Sequence, residues 1–204
     1  MLKLKLNCMI GITKTMDRNL NKGFTIVETL IAIFIFAIIM GAAFNSVLSL
    51  FSSQRYRLAS QKVADEVSLL TESLARELRE AQRDGGGICI AANYSYEEIT
   101  SPGPGIKFLD LEFRCREVAL ELMNKRVVER IGLSPSDSWY VLSSENISIE
   151  AFEFNLIGQE GGSPDNTQPR VTVFIDAVAK NFPGGDPPRV KMQTTISQRN
   201  LDAP

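Results

Sequence analysis

From Phe24 to Phe44 only Thr25, Glu28, Thr29 and Gly41 fall outside the apolar set, and Leu30 to Met40 is an unbroken apolar run. A segment apolar on every side predicts a helix with apolar surroundings on every side. At about 1.5 Å per residue, positions 24 to 44 make about 31 Å of helix, matching a bilayer hydrocarbon core of about 30 Å. The run exceeds the roughly 7 to 15 apolar residues of a secretory signal, and Gly41-Ala42-Ala43 is a poor imitation of its cleavage site. After Phe51 the pattern becomes amphipathic. Val63, Val67, Leu70, Leu74, Leu78 and Ala81 recur every three or four residues, with Asp65, Glu66, Glu72, Arg76, Arg79 and Glu80 between them. Gly85-Gly86-Gly87 predicts the stop, giving one helix over 24–83 or, alternatively, a separate short helix after a break at Phe51 to Tyr56.

The remainder alternates with a period of two. Ile106, Phe108, Leu111, Phe113 and Cys115 form one set with a slip at Leu109-Asp110; Val118, Leu120 and Leu122 form a second; further runs cover Ile147 to Leu156, Val171 to Val178 and Val190 to Ile196. The pattern predicts five or six strands, with bulges at the slips. Turns are expected at Ser101 to Gly105, Ile157 to Arg170 and Phe182 to Arg189. The predicted fold is α+β, a long N-terminal helix whose second half packs on an antiparallel sheet.

Composition narrows the chemistry. At 44% hydrophobic and 23% charged, the 204 residues suit a packed core. Histidine is absent, which removes the Ser-His-Asp triad, the Cys-His pair and the His-ligated zinc site. A net charge of -2 and a sequence pI near 5.4 argue against nucleic acid as a partner. Charge is also segregated. Residues up to Gly23 carry Lys3, Lys5, Lys14, Arg18 and Lys22 against Asp17, a net of +4, and the rest sums to -6. Basic residues ahead of an apolar span predict an N-terminus in the cytoplasm and Phe51 onward across the membrane.

Glu28 is the acid inside the apolar block. At the bilayer centre it would cost about 2.5 to 3.5 kcal/mol, so it calls for a partner, unless its place four residues into the block keeps it at the headgroups. Lys22-Gly23-Phe24-Thr25-Ile26-Val27-Glu28 resembles the processing site of the type IV pilin superfamily, which includes the pseudopilins of type II secretion. The resemblance implies that prepilin peptidase cuts between Gly23 and Phe24 and methylates the new amine of Phe24. It also implies that Glu28 pairs with that amine of a neighbouring subunit during assembly. Glycine at the cut lets a protease approach the backbone closely, and methylation keeps the amine's charge. Met16 offers an alternative start with a shorter leader. No proline occurs from Phe24 to Ser101, although many pilins carry one in this helix.

The expected organisation is a cleaved cytoplasmic leader (1–23), a transmembrane and assembly helix (24–50), its amphipathic continuation (51–84) and a β-rich head (85–204). Ser143 to Ile147 and Gln193 to Ser197 resemble minor subunits, of the J type in type II secretion or their pilus counterparts. The function implied is a non-enzymatic subunit that primes or caps a filament. Its partners would be the peptidase, other pilin or pseudopilin subunits, the inner-membrane assembly platform and the lipid bilayer. A signal-anchored protein with a binding or enzymatic head is the alternative. Cys89 and Cys115, expected outside the cytoplasm, either pair or stay as two buried thiols. Cys8 lacks a lipoprotein box. Asp165, Asn166 and Asp186 read as turn residues rather than calcium ligands, as the Asp-x-Asp-x-Asp spacing is missing. Gly85-Gly86-Gly87 lacks the Lys-Ser/Thr of a phosphate loop, and Asn93-Tyr94-Ser95 and Asn146-Ile147-Ser148 read as ordinary surface triplets. No cofactor or metal is expected.

Overall fold

The computed structural model describes residues 23–132, 134, 137–160, 167–183 and 185–199. Cys8, Met16, the rest of the leader before Gly23, Asp165 and Asn166 lie outside the described residues. A single helix, α1, runs Ile26–Glu80, unbroken through Phe51 to Tyr56. The chain divides into two compact units, one ending at Ser49 and one beginning at Leu50. The second half of α1 therefore belongs to the same unit as the strands.

In the first unit no other described residue covers the helix. Every residue from Gly23 to Ser49 is exposed, and α1 is long and apolar enough there to cross a membrane.

In the second unit, β1 (Tyr96–Ile99), β2 (Gly105–Leu109), β3 (Cys115–Glu121), β4 (Arg126–Ile131) and β5 (Tyr140–Val141) form one antiparallel sheet in chain order. A second antiparallel sheet holds β6 (Ile147–Ile157), β7 (Arg170–Ala179) and β8 (Arg189–Ser197). The expected single sheet is thus two. The predicted stripe of α1 is buried as a set, and Val63, Val67, Leu70, Leu74, Leu78 and Ala81 share one core with Tyr96, Ile106, Phe108, Val118, Ile149, Phe152 and Ile175. Each such buried side chain contributes roughly 1.5–3 kcal/mol, so the stripe alone accounts for much of the docking of α1.

Two expectations fail for identifiable reasons. The alternation from Ile106 to Cys115 is a hairpin, not one strand with a bulge. Asp110 turns the chain by accepting the N–H of Glu112 (2.9 Å) and of Arg114 (2.8 Å) through Oδ1, which leaves Leu111 and Phe113 60% and 71% exposed. The bulge lies instead in β6, between Ile149 and Ala151. The helix also stops five residues before Gly85, because its last carbonyls are claimed from outside the helix. Tyr96 Oη donates to Leu78 O (2.5 Å), Arg199 N to Arg79 O (2.8 Å), and Gln82 Nε2 to Glu80 O (2.9 Å). Gln198 Nε2 donates to Ala81 O (2.6 Å), just beyond the end.

The outer face of the first sheet carries a row of alternating charge fixed by register. Glu97 lies opposite Lys107, Lys107 opposite Glu117, and Glu117 opposite Arg130, whose guanidinium rests 4.9 Å above the Trp139 ring.

Candidate functional site

The motif residues lie where α1 begins. Thr25 is the N-cap: its Oγ1 accepts the N–H of Glu28 at 3.2 Å, and its carbonyl accepts the N–H of Thr29 at 3.1 Å. Thr25-x-x-Glu28 has the spacing of a capping box, a helix-start signal carried by the sequence itself. It also puts the Glu28 carboxylate in the first turn, where the helix dipole favours negative charge. Phe24 is 77% exposed just ahead of the cap. A Cβ at Gly23 would meet nothing within 4 Å, so the chain's own packing does not demand glycine there. The same is true of Gly41, through which the helix continues.

The two cysteines sit elsewhere. Cys89 and Cys115 are joined by a disulfide with their Cα atoms 5.4 Å apart, in a small second core with Ile90 and Leu109. The loop before Cys89 is organised by Asp84. Its Oδ2 accepts the N–H of Cys89 (2.6 Å) and Ile90 (3.1 Å), and its Oδ1 that of Gly86 (3.1 Å). Burial pushes the Asp84 carboxyl up, but backbone N–H groups from Gly87 to Ile90 outweigh it and hold the group below the usual carboxylate range. Gly87, in this loop, has φ of 67°, and a Cβ there would press on Ala92 at 3.2 Å. Glycine is required at that point.

Arg116 fastens α1 to the sheet, and sequence reading missed it because its partners are far apart in the chain. It reaches Glu77 of α1 at 2.8 Å, Asp110 of the β2–β3 turn at 3.1 Å and Glu129 of β4 at 2.6 Å. Glu77 is raised above its usual range by burial and by the nearby Glu129 and Asp110 charges, against the pull of Arg116. Asp110 is held low: burial raises it, but the Arg114 N–H and both arginine side chains outweigh that. Among the described residues no group of three metal-ligating side chains comes together, and Asp186 is exposed. Asn146 donates to Ser144 Oγ (2.9 Å) and to Glu66 (3.4 Å).

The family model for the prokaryotic N-terminal methylation motif matches residues 18–44, the segment holding Gly23, Phe24, the Thr25 cap and Glu28. No curated protein and no solved structure matches this chain. The match defines a class, proteins with a prepilin-type N-terminus on a membrane-type helix. The motif supports a pilin- or pseudopilin-like protein, and it implies processing by prepilin peptidase and assembly with other pilin subunits.

Proposed function

We propose that the chain is a minor subunit of a type IV pilus or a type II secretion pseudopilus, one that primes or caps the filament. Prepilin peptidase removes residues 1–23 in the cytoplasm and methylates Phe24. The helix over 24–50 holds the subunit in the cytoplasmic membrane by a single pass with the head outside, until the assembly platform moves it into the filament. There the new Phe24 amine of one copy pairs with Glu28 of its neighbour. The observation that carries this reading is the methylation motif at 18–44 placed on an apolar helix exposed on every side and continuous with a folded, disulfide-linked β head. A glycine that the packing around it does not demand and an acid in the first turn of an apolar helix are explained together by a peptidase and a neighbouring amine. Mass spectrometry of membrane-extracted protein should begin at N-methylated Phe24, and Gly23→Glu should accumulate the precursor. An intact leader in cells with active peptidase would overturn the reading in favour of a signal anchor.

A further inference from the structure

The geometry points to a docking surface for anionic phospholipid headgroups at the end of the second unit where α1 enters it. It rests on the reading of the apolar half of α1 as a membrane span. No acid occurs from Thr29 to Ala64, whereas Arg55, Arg57 and Lys62 are all exposed. Arg55 lies four residues beyond Phe51, about 6 Å along the axis, and a guanidinium on its flexible stem reaches back over that distance. Across from α1, the β7–β8 connection supplies Lys180. Lys62 and Lys180 line one cavity of about 170 Å³, together with Ala59, Val63, Asn146 and Phe182.

None of these four cations has a carboxylate partner among the described residues, although the head pairs Arg116, Arg130 and Arg189 closely. The acids of this end, Asp65 and Glu66 on α1, Glu145 before β6 and Asp186 in the β7–β8 connection, include none on the stretch of α1 that leads out of the span. Tyr56 meets Phe182 edge to face at 5.9 Å while staying 47% exposed. Aromatic rings with a polar tip collect at the level of the headgroups, and Lys and Arg beside them attract anionic lipid by about 1 kcal/mol each. A collar of four unpaired cations and an aromatic pair, three of the cations on α1 about one to three helical turns past an apolar run, fits a phosphodiester surface. It would hold the subunit upright at the membrane until it is extracted.

The test reconstitutes the full chain in bilayers of mixed phosphatidylcholine and phosphatidylglycerol and counts retained lipids by native mass spectrometry. Wild type should retain phosphatidylglycerol in excess of its share. The Arg55→Gln, Arg57→Gln, Lys62→Gln triple variant should lose about fivefold of that preference per charge. Arg76→Gln, Arg79→Gln, Arg199→Gln removes the same charge from a cleft at the other end of the helix and should leave the preference unchanged. Equal loss in both triples would reduce the effect to net charge and overturn the inference, as would displacement of the lipid by millimolar inorganic phosphate. Insertion without any lipid preference would overturn the inference alone, and failure to enter the bilayer would overturn the span reading with it.

Discussion

The two halves of α1 obey different rules. Between Phe24 and Phe44, thirteen large apolar side chains are each more than half exposed, among them Ile33 at 65% and Phe34 at 68%. Between Val63 and Leu78 the stripe residues are at most 8% exposed. At roughly 1.5–3 kcal/mol per side chain, the first half leaves about 20–40 kcal/mol of burial unmade. So large a contiguous apolar surface is more than a soluble protein ordinarily leaves in water, and it fits lipid or neighbouring helices as its surroundings. A uniform apolar surface accepts lipid and then neighbouring helices in turn, while a single stripe commits a helix to one partner within its own chain.

The sharpest break of this comparison is Glu28→Val, which removes the one charged residue between Phe24 and Phe44. Under the filament reading it strands a neighbour's Phe24 amine, and a buried charge without its partner costs about 3–5 kcal/mol. Association should fall by two to three powers of ten in crosslinking or co-purification, with cleavage intact. A plain anchor would tolerate the change or gain from it. Replacing both Cys89 and Cys115 by serine acts on the other half alone. Their disulfide closes a separation of 26 residues, so its loss should cost the head roughly 3–4 kcal/mol in chemical denaturation while membrane insertion is unchanged.

Acid gives a smaller contrast, and its sign follows from the carboxyls. Asp84 and Asp110 are held low in the folded head, as is Asp176 by its hydrogen bonds with Arg189, which outweigh burial. The folded state thus binds fewer protons, and their stabilisation is complete above the unfolded aspartate value of about 3.9 and lost as the pH falls below it. Glu77 runs the other way, since a raised carboxyl makes the folded state the better proton acceptor and relieves a cost as pH falls. Glu77→Gln, which takes one carboxylate from Arg116, should therefore steepen the acid loss, measured as Tm against pH.

The stripe and the spanning run were readable because each is a local periodicity that the chain keeps. β4 was not: its Arg126, Glu129 and Arg130 give it the look of a loop, and pairing with β3 together with burial of Val127 and Val128 makes a strand of it. Leu111 and Phe113 misled in the opposite direction, as apolar residues that continue an alternation after the Asp110 side chain has already turned the chain. The motif at Gly23, Phe24 and Glu28 was legible because it is linear. The Arg116 cluster draws one member each from α1, a turn, β3 and β4, and no spacing announces it.

The alternating row across the first sheet works like the cuts of a key. In the native setting, opposite signs face each other from Glu97 to Arg130. Slide both neighbouring pairings by one position and Lys107 comes opposite Arg116 while Glu117 comes opposite Glu129, like against like at each step. Because residues 115 to 121 lie between both partners, a wrong setting on either side is felt in the same strand. A slip in that direction sets like charges against each other and also turns the buried apolar residues of β3 to the other face, and the Cys89–Cys115 disulfide holds the native register.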